Sequence, residues 1–104
     1  MSWKAPDGDT ELLSREREQV EEPPEYKVLL HNDDYTTMDF VVEILRDVFH
    51  KSTEEATRIM LNVHHQGVGV CGIYTAEIAE TKVATVHDRA RKAGFPLMAS
   101  MEQV

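Results

Sequence analysis

Leu29-Leu30-His31-Asn32-Asp33-Asp34-Tyr35-Thr36-Thr37-Met38-Asp39-Phe40-Val41 is the stretch on which the fold turns. An apolar run ends in an acidic turn, and the turn opens into a segment with helical spacing. Residues 26–30 are β-rich and read as a strand, with residues 31–35 as the turn. Thr36 and Asp39 match a capping box ahead of an apolar periodic segment. Phe40, Val41, Ile44, Leu45, Val48 and Phe49 then recur at helical spacing. Asp39, Glu43, Arg46 and Asp47 take the other side, which predicts a first helix near residues 37–50.

Working outward, Ser52 with Glu55 forms a second capping box. The helix it opens carries Ala56, Ile59, Met60, Val63 and His64 on one side and meets Gly67 where a left-handed C-cap is wanted. The short link makes an antiparallel helix pair. Residues 68–74 are rich in β-branched side chains, and Gly69 and Gly72 within them suggest a bulge. Thr75 is placed to cap a third helix over residues 76–93. Ala79, Val83, Val86 and Ala90 form its stripe, with basic residues at its C-terminal end. Gly94 ends it, and residues 95–101 read as the last strand. The predicted fold class is a two-layer α/β (α+β) domain, β-α-α-β-α-β, with a three-stranded antiparallel sheet covered on one face by three helices.

The chain has 104 residues, which predicts a single domain. Residues 1–25 differ from the rest: eight acidic and three basic side chains, closed by Pro23-Pro24. Such a segment cannot repay the entropy of ordering its backbone, so a mobile acidic extension is expected there, with room for a fragile helix over residues 11–20. Residues 26–104 form the expected core domain. The net charge of −8 leaves no basic stripe for phosphates, so nucleic acid is not an expected partner. No apolar run approaches the roughly 20 residues that span a bilayer. The N-terminus lacks a secretory h-region, and one cysteine, Cys71, suits a reducing compartment, so a cytoplasmic location is expected.

Asn32, Asp33 and Asp34 are the densest set of acceptors in the predicted domain. Met60, Val63 and His64 follow i, i+3, i+4 and share a helix face. If that face packs beside the turn, Asn32, Asp33 and a neutral His64 would complement a protonated amine, which has donors and no acceptor. Charge-assisted bonds contribute roughly 1.5–3 kcal/mol each, and burial of one large apolar side chain adds about 1.5–3 kcal/mol. Less ordering costs, this reaches micromolar affinity, about −8 kcal/mol. An ordinary Asx turn and a helix-ending histidine account for the same residues.

Other chemistry has less support. His64 and His65 point about 100° apart on a helix and cannot chelate one ion together, and no H-x-x-x-H or H-E-x-x-H occurs. Cys71 lies mid-strand among valines and glycines and reads as a core thiol. The glycines at 67, 69 and 72 precede a strand and not a helix, unlike a phosphate loop. No enzyme, metal or cofactor is expected. Glu77 and Lys82 should lie exposed early on the third helix, as a solvated helix start or a charged docking face.

The combination Asn32-Asp33-Asp34-Tyr35-Thr36-x-Met38, Met60-Leu61-x-Val63-His64-x-Gln66-Gly67, Cys71-Gly72 and Thr75-Ala76-Glu77-x-Ala79-Glu80-Thr81-Lys82-Val83 resembles the ClpS family, adaptors of the bacterial ATP-dependent Clp protease. The likeness spans residues 24–104. It implies recognition of N-degrons, proteins whose first residue is bulky and hydrophobic (Phe, Tyr, Trp or Leu). Asn32, Asp33 and His64 would hold the free α-amino group. Asp34, Thr36, Met38, Val41, Met60, Val63 and Leu97 would line the side-chain pocket, with Met38 as a gate against β-branched residues. Glu77 and Lys82 would dock the N-terminal domain of the ClpA unfoldase, an AAA+ partner, and the extension would serve handover into its pore. Thr37 stands where the family most often has proline, so a looser turn is expected before Met38. A monomer is expected, since no apolar helix face is left over. The alternative from another class is a non-catalytic, ribosomal-stalk-like protein–protein module with the same small two-layer layout.

Overall fold

The computed structural model describes residues 23–104. In chain order it comprises β1 (Glu25–His31), α1 (Met38–Asp47), α2 (Thr53–Gln66), β2 (Val68–Thr75), α3 (Ala76–Ala93) and β3 (Met98–Gln103). The expected extension falls outside the described residues up to residue 22, as does the short helix over residues 11–20. β1 begins at Glu25, inside the segment assigned to that extension.

The strands form one antiparallel sheet in the order β2-β1-β3. Val28 and Leu30 of β1 are fully buried and pack with Phe40, Val41, Ile44 and Leu45 of α1, Ala56, Ile59, Met60 and Val63 of α2, and Ala79, Val86 and Ala90 of α3. This is the predicted α+β layout, with helices on one face of the sheet. The other face leaves Val68, Val70, Ile73 and Met98 exposed. The bulge suggested by the glycines is present: Val28 pairs with Gly72 and Leu29 with Val70, so Cys71 is the extra residue. It points inward and is buried. Gly69 allows the close approach of α2, because a Cβ there would lie 2.7 Å from Val63 Cγ2.

The helix ends follow local chemistry. Ser52 caps α2 by accepting from the Glu55 N–H, as its capping box predicts. Gly67 closes α2 at φ 88°, and Gly94 closes α3 at φ 84°, both left-handed. Thr75 occupies the N-cap position of α3 but makes no side-chain capping bond.

Four expectations are corrected. The cap of α1 is Thr37, which accepts from the Phe40 N–H at 3.1 Å. The Thr36 hydroxyl is turned instead toward the acidic turn, where it donates to Asp33 Oδ2 at 2.7 Å. Nor is Thr37 a loosening residue: its φ of −74° lies close to the proline value, and its hydroxyl supplies a bond that proline lacks. The helix ends at Asp47, short of residue 50, because His50 takes a left-handed φ of 56° and Lys51 N–H returns to the Leu45 carbonyl. The last strand begins at Met98. Residues 95–97 are a linker in which Phe95 N–H bonds the Ala90 carbonyl, its ring packs on Phe40 at 4.9 Å, and Leu97 is buried.

The acidic turn is organised by one carboxylate. Asp33 Oδ1 accepts from the N–H groups of Tyr35 (2.8 Å) and Thr36 (2.7 Å), while Oδ2 takes the Thr36 hydroxyl. Burial raises the Asp33 pKa, but the three bonds outweigh it and hold it below the ordinary 3.8. The ionised form is favoured by folding. Its contribution is therefore complete above the unfolded value and lost as pH falls through the folded one. Asp33→Ala should cost about 1–2 kcal/mol near neutrality. Urea denaturation should show the gap to wild type closing as pH drops below about 4. For Cys71, burial pushes the thiol pKa up to about 12. A thiol reagent such as Ellman's should therefore label Cys71 only at the rate of unfolding, and rapid labelling of native protein would contradict this.

Candidate functional site

Two backbone features bring the predicted site together. The Asn32 N–H donates to the Gly67 carbonyl at 2.9 Å, clasping the acidic turn to the end of α2. Gly67 in turn donates to Val63, so the helix finishes tightly against that clasp. His64, one turn earlier, is thereby set beside Asn32. The result is a cleft of about 240 Å³ lined by Asn32, Asp33, Asp34, Thr36, Met38, Val41, Met60, Val63 and His64.

The walls differ in character. Val41, Met60 and Val63 are 6%, 8% and 3% exposed and form an apolar floor. Met38, the first residue of α1, stands at the rim and is 46% exposed. Among the described residues, neither Asn32 nor His64 commits its side chain to an internal hydrogen bond, and the His64 ring lies edge-on to His65 at 5.1 Å. Asp33 differs: Oδ1 takes two bonds of the turn and Oδ2 one, so most of its acceptor capacity already serves the turn. Asp34 is exposed at the same rim. A cationic head near Asn32 and His64 with an apolar body below is the ligand shape that these walls match. Of the residues predicted for this site, only Leu97 lies elsewhere; it is buried in the core, 4% exposed, and does not line the cleft.

A second groove, of about 490 Å³, runs along α3 and is lined by Asp47, Val48, Glu77, Ile78, Thr81, Lys82, Thr85 and Arg89. Glu77 is exposed as expected, but Lys82 is half-buried. Its Nζ donates to the Val48 carbonyl at 2.6 Å and lies 5.8 and 5.5 Å from the Phe49 and Tyr74 ring centres. It thus serves the C-terminal turn of α1, whose carbonyls have no partner within the helix. Arg89 bonds Glu43 and Asp47, joining α3 to α1. Ile78, 48% exposed, is an apolar residue on α3 that the sequence reading did not single out. Its i+4 relation to Lys82 is the signal that could have placed it in the groove.

The chain matches the family model described as ATP-dependent Clp protease adaptor protein ClpS over residues 21–100. A protein of Nitratidesulfovibrio vulgaris (strain Miyazaki F) named ATP-dependent Clp protease adapter protein ClpS is 62% identical over 101 residues, covering 95% of this chain and 99% of that one. The protein of the same name from Desulfatibacillum aliphaticivorans is also 62% identical, over 92 residues and 88% of each chain. The solved structure of Agrobacterium tumefaciens ClpS2 bound to L-phenylalaninamide superposes with a TM-score of 0.77 at 41% identity, covering 80% of this chain and 100% of that one. The protein is therefore an adaptor and not an enzyme, and it belongs to the ClpS family of ATP-dependent Clp protease adaptors.

Proposed function

We propose that this adaptor captures N-degron substrates, holding a free α-amino group and a bulky hydrophobic first side chain, and presents them to the ClpA-type unfoldase of the Clp protease in the cytoplasm. The observation that carries this reading is the cleft itself. Uncommitted acceptors on Asn32 and His64 stand directly above the buried floor of Val41, Met60 and Val63. The superposed ClpS2 structure is bound to L-phenylalaninamide, which combines a free amine with a benzyl side chain. Asn32 and His64 take the amine, and Asp33 supports them with its charge. Thr36, Asp34 and Met38 bound the side-chain pocket. Met38 at the rim rejects residues branched at Cβ, since forced overpacking costs roughly 1–3 kcal/mol. The α3 groove, with Glu77 exposed and Lys82 bracing its wall, is the face offered to the N-terminal domain of the unfoldase.

Fluorescence anisotropy with labelled peptides beginning Phe, Leu, Ile and N-acetyl-Phe tests the capture. Phe and Leu should bind, Ile far more weakly, and the acetylated peptide not at all, because acetylation removes charge and donors. His64→Ala should weaken the Phe peptide at least tenfold, about 1.4 kcal/mol. Silence from all four peptides would favour a stalk-like docking module. For the second face, Glu77→Ala should weaken binding to the isolated N-terminal domain of ClpA while leaving peptide affinity unchanged. Loss of both together would argue against two separate faces.

A further inference from the structure

We propose that Thr37 is the positioning residue for selectivity in the cleft, acting through the cap that it places on α1. This rests on the reading of Met38 as the gate. Met38 is the first residue of α1, so its place at the rim depends on whether the first turn is closed. What closes that turn from its own end is the Thr37 hydroxyl, which accepts from the Phe40 N–H at 3.1 Å, together with the Thr37 carbonyl, which accepts from Val41 N–H. Thr37 is exposed and absent from the core cluster, so its side chain offers no core packing to lose. Two residues beyond Met38, the helix is pinned separately: Phe40 is 8% exposed and its ring packs, tilted, against Phe95 at 4.9 Å. Fraying that begins at the cap therefore stops at Phe40. It frees residues 37–39 alone, which is the segment that carries Met38. The floor of the cleft comes from Val41, Met60 and Val63, all beyond that limit. Loss of the hydroxyl should widen the mouth without disturbing the floor or the amine-binding groups.

The test compares wild type, Thr37→Val (same shape, no hydroxyl) and Thr37→Ser (hydroxyl restored) in two measurements. The first is anisotropy with Phe- and Ile-initiated peptides. The second is native-state hydrogen exchange of the Phe40 amide. In Thr37→Val, the Phe40 amide should exchange about fivefold faster, the scale of a lost cap. The Ile peptide should bind about fivefold more tightly, with the Phe peptide changed less than about twofold. Thr37→Ser should return both measurements to wild type. Faster Phe40 exchange with an unchanged Phe-to-Ile ratio would overturn the proposal, and so would equal loss of both peptides. Unchanged exchange in Thr37→Val would overturn it too. Wild-type protein that bound neither peptide would instead overturn the capture function itself, and this inference with it.

Discussion

The hydrogen bond from the Asn32 N–H to the Gly67 carbonyl is the constraint on which the functional architecture depends. It joins two segments that are far apart in sequence, the turn after β1 and the end of α2. Each is shaped locally: the turn by the Asp33 carboxylate, the helix end by a glycine that can take φ 88°. Because both partners are backbone, the bond fixes main-chain position and leaves the neighbouring side chains unoccupied. Asn32 and His64 therefore meet at the cleft as groups with hydrogen-bonding capacity still to be met from outside.

α1 links the cleft to the α3 groove. Met38 and Val41, from its first half, line the cleft, while Asp47 and Val48, from its end, line the α3 groove. The helix has ten residues, and its ends are held by different means. The N-terminal turn is capped by a hydroxyl, whereas the C-terminal turn is pinned by the Lys82 ammonium between two aromatic rings. Arg89 adds a bridge from α3 to Glu43 and Asp47, of modest energy because these carboxylates are about half exposed. The eighteen-residue α3 thus serves as a splint for the ten-residue α1.

Features written in local chemistry were legible in the sequence. Ser52 and Glu55, Gly67, Gly94 and the i, i+3, i+4 set Met60-Val63-His64 all behave as their spacing predicts. The bulge at Cys71 was also signalled, by the glycines on either side. What escaped was decided by competition or by distance. Thr36 is the better cap in sequence, with Asp39 three residues on, and only the Asp33 carboxylate, by drawing the Thr36 hydroxyl to itself, leaves the role to Thr37. Residues 95–97 have strand-like composition, yet Phe95 is drawn to Phe40 and the exit from α3. Lys82 reads as a solvated charge because its acceptor, the Val48 carbonyl, lies 34 residues away. Leu97 is recruited to the core by the same linker geometry, which no local pattern encodes.

The bulge at Cys71 has a consequence for how the molecule coexists with others of its kind. β2 is at one side of a three-stranded sheet and carries Val68, Val70 and Ile73 on its uncovered face. A straight, apolar strand in that position is a template on which a neighbouring chain can add its own. An extra residue interrupts the regular spacing of the strand's hydrogen-bonding groups and increases its local twist, so an incoming strand cannot stay in register along it. The irregularity that turns a thiol into the core therefore also makes the open edge a poorer template for strand addition.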